Sequence, residues 1–308
     1  MSAMKELQNE FSWSKSRHEK FAECPRAYWF HYYGSWGGWN AASGPETREL
    51  YVLKNLSSRW QWAGSVVHEA IRHMLNRSRV SGDRKPLDRL LEETRRRSRT
   101  QFAASRDKSY WRDPKRIPGL LEHEYAEPVG PEEWKRVWDE LIEGSLQGFY
   151  ASQTFDRIRA IPAQRWLTVD ELDSWSFEGT RIWVAIDFAY RDEDDRVHVL
   201  DWKTGKERGA DHMQVAQYDL YAQRKWQVAP ESVVGGLVYL GSGADRVDVA
   251  VDAPALEAAQ ARMRESIAGM KERLDDPLRN AASKERFPRI EDLTACRRCP
   301  FRRPCGRM

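Results

Sequence analysis

The chain's four cysteines are split between its two ends: Cys24 lies near the start, and Cys296, Cys299 and Cys305 lie in the closing run CRRCPFRRPC. The three late sulfurs are near enough in sequence to bind one metal centre, and the fourth ligand of a four-thiolate set then has to come from the opposite terminus. If all four share a centre, the fold must carry residue 24 against residues 296–305. Treated like a covalent crosslink, a closure of this length restricts the unfolded chain by on the order of 5 kcal/mol. The C-x₂-C spacing serves zinc and iron–sulfur equally, so spacing alone leaves both open.

A chain of 308 residues can bury a large core as one domain or two coupled ones, and 31% charged with 41% hydrophobic residues fits a globular protein. No apolar run approaches the length of about 18 residues that a membrane span needs. The opening stretch MSAMKELQNEFSWSKSRHEK contains no apolar leader segment, so a cytoplasmic, reducing location is expected, where cysteines favour metal over disulfides. A net charge of +3 says little, but its distribution says more: Lys284 to Met308 holds eight Lys/Arg against three acidic residues. Those cations offset a thiolate cluster, touch nucleic acid, or both. The run Arg95-Arg96-Arg97-Ser98-Arg99 reads as a solvated helix face.

Residues 1–60 form an aromatic-rich helical segment supplying Cys24, with a helix from Ser14 to about Tyr33 that holds Cys24 inside it or at a break before Pro25 and that Gly34, Gly37 and Gly38 end. Its aromatic residues are assigned mainly to the core, although such rings also stack on unpaired bases. Gln61 to about Arg79 reads as a second helix, with Val66, Val67, Ala70, Ile71 and Met74 on its apolar side. Residues 86–161 are polar and helical, broken by prolines, and read as an insertion whose role is open. Strands follow at Arg165–Leu172, Thr180–Arg191 and Arg196–Trp202, the last two joined by the polar turn Asp192–Asp195. A helix over Asp211–Trp226, strands over Ser232–Leu240 and Arg246–Val251, and a helix from Pro254 to about Leu274 complete the pattern. Residues 61–85 and 162–275 thus form an α/β core with a mixed central sheet flanked by helices, and residues 276–308 form a basic tail.

The chemistry concentrates where strands end. Asp187 closes the apolar run WVAIDFAY, and Asp201 and Lys203 close VHVLDWKTG. A carboxylate among buried strand residues is costly unless it is paired or binds a cation. Alternation places Asp201 and Lys203 on one face of their strand. Two carboxylates and an ammonium meeting at a strand end suit phosphodiester hydrolysis: the carboxylates hold Mg²⁺ or Mn²⁺, and the lysine stabilises charge on the transition state. Gln214 and Tyr218 share one face of the following helix. His68, on an apolar helix, reads by itself as a core residue, as does His73.

Taken in order, these motifs resemble those of the PD-(D/E)XK nuclease superfamily in its RecB-like branch, which includes CRISPR-associated RecB-like and AddB-type iron–sulfur nucleases. The resemblance rests on Gly64-Ser-Val-Val-His68, Asp187, Asp201-Trp202-Lys203-Thr204-Gly205, Gln214 with Tyr218, and the one-plus-three cysteine pattern. One departure is Ala185, where the family often has Gly. The resemblance implies a restriction-endonuclease-like fold and a divalent metal held by His68, Asp187, Asp201 and the Trp202 carbonyl. It further implies Lys203 as the catalytic lysine, and Gln214 and Tyr218 orienting that lysine or touching the DNA backbone. It tips Cys24, Cys296, Cys299 and Cys305 toward a structural 4Fe–4S cluster joining the termini. The implied activity is a Mg²⁺- or Mn²⁺-dependent deoxyribonuclease, as an exonuclease or an end- or flap-processing enzyme on single-stranded DNA, alone or with a helicase, repair or CRISPR/defence partner. The alternative is a non-catalytic nucleic-acid-binding subunit of such a complex. No P-loop motif is present, so the chain carries no motor of that kind.

Overall fold

The computed structural model describes residues 8–83, 85–206, 209–241 and 245–307. Residues 1–7, part of the stretch searched for a leader, and Met308 of the basic tail lie outside the described residues. Its centre is a mixed sheet of β1 (Ser12–Trp13), β2 (Trp166–Phe177), β3 (Thr180–Arg191), β4 (Val197–Lys203), β5 (Val233–Tyr239) and β6 (Asp245–Val249). The spatial order is β1-β3-β4-β5-β6, with β2 pairing antiparallel to β3. β3 and β4 form the expected hairpin. Its turn is fixed by Asp192, whose Oδ1 accepts the N–H groups of Asp194 at 3.1 Å and Arg196 at 2.9 Å. β4 and β5 run parallel, which requires a crossover.

Around the sheet lie helices α1 (Lys15–Glu23), α2 (Pro25–Trp29), α3 (Pro45–Leu53), α4 (Arg59–Ser81), α5 (Leu87–Arg106), α6 (Gly209–Trp226) and α7 (Ala253–Glu272). The helix expected over 14–33 is broken at Cys24, which is extended at φ −161°, ψ 111° because the ring of Pro25 disfavours a helical residue before it. α4 starts two residues earlier than its periodicity suggested. Ser58 and Gln61 form a reciprocal capping box there, with the Ser58 N–H donating to Gln61 Oε1 at 3.0 Å. α6 makes the β4–β5 crossover and lies close over Gly235, where an added Cβ would fall 2.0 Å from Val215 Cγ1.

Each face of the sheet buries its own apolar layer. On one side Phe188, Leu200 and Trp202 share a cluster with Trp62, Val67 and Ile71 of α4. Leu90, Ile142, Leu146, Phe149 and Ile158 of the helical segment 86–161 belong to that same cluster, so this segment helps build the core. On the other side Ile182 and Val199 pack with Ala216 of α6 and Met263 of α7, together with Trp13, Tyr28 and Phe287 from the two ends of the chain.

The ends meet through ordinary packing. Ala27, Phe30 and Leu50 share a third cluster with Phe301 and Cys305. Trp29 Nε1 donates to Ala282 O at 2.7 Å, and Arg26 Nε donates to Phe287 O at 2.7 Å. Phe30 and Phe301 are both fully buried, each contributing roughly 1.5–3 kcal/mol, so the closure of the termini has an apolar source besides any metal. Several of the basic residues are paired within the protein. Arg303 joins Glu49 and Glu124, each at 2.8 Å; Arg302 pairs with Glu127, Arg95 with Glu143 and Arg97 with Glu69.

Candidate active site

The site forms where the sheet splits. β2 occupies one edge of β3 along its length. The other edge is shared: β1 pairs with Arg181 and Ile182, and β4 pairs with Phe188 to Arg191. Between these pairings side chains satisfy the backbone. Asp187 Oδ2 accepts the Trp202 N–H at 2.7 Å, and the Tyr218 hydroxyl oxygen stands 3.0 Å from the Ala185 carbonyl. The parting opens a cleft of 650 Å³ lined by His68, Asp187, Asp201, Trp202, Lys203, Gln214 and Tyr218. All seven residues expected at the site therefore share one space. Trp202 itself is buried, its ring edge-on to Phe149 at 5.2 Å.

Asp187 and Asp201 are 7% and 4% exposed, so each charge depends on its partners. His68 Nδ1 stands 2.9 Å from Asp187 Oδ1. Burial alone would lower the His68 pKa, but Asp187, assisted by Asp201 and Asp170, outweighs it and lifts the imidazole to about 9. Lys203 Nζ lies 2.6 Å from Asp201 Oδ2 and 3.4 Å from Asp211 Oδ1, and donates to Gln214 Oε1 at 2.9 Å. Burial opposes the ammonium, yet these carboxylates hold the Lys203 pKa above its ordinary value. The Asp201 carboxyl is pushed up by burial and by Asp187, an effect that Lys203 and Tyr218 partly offset.

Gln214 and Tyr218, one helical turn apart on α6, finish the network. Gln214 Nε2 and the Tyr218 hydroxyl each donate to Asp201 Oδ1 at 2.9 Å. Burial and the two aspartates hold the Tyr218 hydroxyl firmly protonated. Asp201 Oδ2 is enclosed and faces the Lys203 ammonium at 2.6 Å. Two buried carboxylates in one cleft suit a hard divalent cation, which prefers oxygen ligands. Among the described residues no three His, Cys, Asp or Glu side chains form a finished coordination set. In the structure His68 and Lys203 supply the positive charge.

The sequence motifs did not include Asp211 or Asp170, nor the reason residue 64 is a glycine. Asp211 is the second carboxylate on Lys203. Asp170 lies across β3 from the site, at an irregularity where its φ is +47°, and Arg72 Nε sits 3.4 Å from its Oδ2. Asp170 lies within β2 and Asp211 in the first turn of α6, and neither has a diagnostic spacing. A Cβ on Gly64 would stand 3.3 Å from Thr204 Oγ1, so glycine lets α4 close on the end of β4 and deliver His68.

The sequence pattern of the PD-(D/E)XK nuclease superfamily matches residues 12–306, nearly the whole chain. The protein belongs to that superfamily. Membership indicates phosphodiester hydrolysis on nucleic acid, and members typically use Mg²⁺ or Mn²⁺. Among curated proteins, none matches the chain. No helix of the described residues is long and apolar enough to cross a membrane.

Beside the superfamily cleft lies a second cavity, of 490 Å³, lined by Cys24, Cys296, Cys299 and Cys305. It shares Trp60 and Gln61 with the cleft. All four cysteines are free thiols. Two sulfurs face backbone donors: the Ala27 N–H at 3.5 Å from Cys24 Sγ, and the Phe301 N–H at 3.4 Å from Cys299 Sγ. Burial, then Cys24 and Cys305, push the Cys299 thiol up to about 12 against the Phe301 N–H; burial and Cys24 also raise Cys296. The four thiols line one common space. Four thiols so placed are the donor type that a thiolate-bound metal or cluster takes, while among the described residues they form no closed coordination set.

Proposed function

We propose that the protein is a Mg²⁺- or Mn²⁺-dependent deoxyribonuclease acting on single-stranded DNA, with a structural 4Fe–4S cluster on its four cysteines. The observation that carries the reading is the convergence of Asp187, Asp201 and Lys203 in one cleft. His68, Asp187, Asp201 and the Trp202 carbonyl would hold the metal. Such an ion, when bound, supplies Lewis acidity toward a phosphoryl oxygen and lowers the pKa of water. Lys203 stabilises negative charge building on the attacked phosphate. Gln214 holds the Lys203 ammonium by its amide oxygen and Asp201 by its amide nitrogen, fixing their separation. Tyr218, kept protonated, donates to Asp201 and locks its orientation.

On this reading residues 61–85 and 162–275 carry the catalysis, and residues 86–161 support α4 and place Leu141 on the cleft wall. Residues 1–60 and 276–308 enclose the cysteine cavity. Exposed Trp60, which borders both cavities, favours an unpaired substrate, since it offers a face on which a base stacks. The test is a timed digest of end-labelled linear and circular DNA with each divalent metal. Linear single strands should be degraded with Mg²⁺ or Mn²⁺, and Lys203→Ala should bind but not cut. Equal cutting by that variant overturns the mechanism. Anaerobically purified protein that is colourless and holds stoichiometric zinc overturns the cluster assignment.

A further inference from the structure

The catalytic cleft continues past Ala185, Gln214 and Tyr218 into a groove of 700 Å³ on the N-terminal side of the molecule. Its charges are out of balance. The acids on its walls are already paired: Glu19 with Lys15 at 3.0 Å, and Glu10 with Arg181 at 3.4 Å. Arg17, Lys54 and Lys115 also line it, and none has a carboxylate partner among the described residues.

Arg17 is the most telling of the three. It is 4% exposed, its Nε and Nη1 donate to hydroxyls of Tyr28 and Ser12, and its Nη2 has no hydrogen-bond partner. The guanidinium lies over the rings of Tyr32, Phe11 and Tyr28 at 4.2, 5.0 and 5.4 Å, contacts that offset part of the cost of a buried charge with no carboxylate partner among the described residues. Beside it the enclosed Nδ1 of His31 also lacks a partner. The electrostatics agree with the geometry. Burial and then Lys20, Lys54, Arg17 and Lys115 drive the His31 pKa well down, and burial with Lys115 brings the Lys54 ammonium to about 8. A surface that holds this much uncompensated positive charge against desolvation is built for an anion. Exposed Trp36 and the Trp183 ring on the same walls add faces for a base.

We propose that this groove is a phosphate-binding subsite that seats the sugar–phosphate chain of a single strand to one side of the cutting point. Lys54 and Lys115 make the direct contacts, and Arg17 supplies charge from beneath the floor. The inference rests on the reading of the cleft as a nuclease centre and gives that centre a direction, because the groove leaves it on one side only. The phosphate is either a strand's terminal monophosphate or an internal phosphodiester.

The test uses the full chain without divalent metal and a fluorescein-labelled oligothymidylate, with affinity read by anisotropy over a salt series. The Lys54→Ala/Lys115→Ala protein should bind about tenfold more weakly at low salt. Its log K against log[salt] slope should be shallower by about 1.4, or about 0.7 for each phosphate that a lysine no longer neutralises. Arg17→Met removes the buried charge while keeping bulk. It should melt no lower than wild type yet bind severalfold more weakly, an outcome that packing alone does not give. Loss confined to 5′- or 3′-phosphorylated linear strands assigns a terminal phosphate, whereas equal loss on circular strands assigns an internal one. Wild-type affinity and slope in both variants overturn the subsite. A wild-type protein that binds through these residues but never cuts overturns the nuclease reading and leaves the subsite standing.

Discussion

The cleft and the cysteine cavity are neighbours that share Trp60 and Gln61, yet they balance charge in opposite ways. In the cleft each ionised group has a protein partner: His68 on Asp187, Lys203 on Asp201 and Asp211, and Gln214 and Tyr218 on Asp201. In the cavity burial and the neighbouring Cys24 push up the Cys296 and Cys299 thiols, and among the described residues two N–H groups face sulfur. The cleft is therefore ordered before any cation arrives, whereas the cavity depends on what its sulfurs bind. Loss of metal from the first should stop chemistry and spare the fold, and loss of the group from the second should weaken the junction of the termini.

The largest effect should come from breaking the cleft network. Asp201→Asn removes the carboxylate on which Lys203, Gln214 and Tyr218 converge, and cleavage of labelled single strands should fall by about 10³-fold or more. Its melting temperature should move little, because the substitution also removes a buried charge. A parallel fall in stability and activity would erase the contrast between the two regions.

Cys299→Ser tests the other side. Unfolding free energy should drop by about 2–5 kcal/mol, as for loss of a crosslink, while Mn²⁺ binding in the cleft persists. The fall should stop short of complete unfolding, because Phe30 and Phe301 still bury against each other's cluster. Denaturant titration beside Mn²⁺ binding reads both quantities on one sample.

Protonation sharpens the contrast further. In metal-free protein the His68 pKa is raised from 6.5 to about 9. A histidine raised in the folded state stabilises fully below its unfolded pKa and loses that contribution as pH rises through the folded one. Stability should thus decline between about pH 6.5 and 9, by about 1–2 kcal/mol after allowance for solvent screening. His68→Ala should flatten that window, and a slope unchanged by the substitution would remove the His68–Asp187 pair from the account.

The smallest expected effect lies on α6 behind the cleft. Asp219 is buried with one hydrogen bond, from Gln223 at 2.6 Å, and burial raises its pKa to about 6. An acid raised on folding loses stability as pH climbs from about 4 to 6, so Asp219→Asn should cancel that decline. It should stabilise the protein at pH 7 by about 1 kcal/mol, with screening allowed for. Thermal melts of the two proteins across this range check it.

The parts of this arrangement visible beforehand were those set by short-range periodicity. Strand alternation joins Asp201 to Lys203, the helical turn joins Gln214 to Tyr218, and the Asp192–Asp195 turn sets the β3–β4 hairpin. Pairings across long separations left no such trace. That Arg303 belongs to Glu49 and Glu124, and that Asp211 shares Lys203, follow only from the packed structure. The same holds for segment 86–161, whose polar text hides Phe149 and Leu146 at the centre of a core shared with α4. Arg17 is the sharpest case: its burial without a carboxylate cannot be told from its residue type, since Arg95, Arg97 and Arg303 are paired with carboxylates.

Counting bound Mn²⁺ by electron paramagnetic resonance, in wild type and in Asp187→Asn and Asp201→Asn proteins, tests the cleft most directly. The account predicts tight binding by wild type that either substitution abolishes, with the cysteine-bound group retained in all three proteins. Undiminished Mn²⁺ binding in both variants would contradict it.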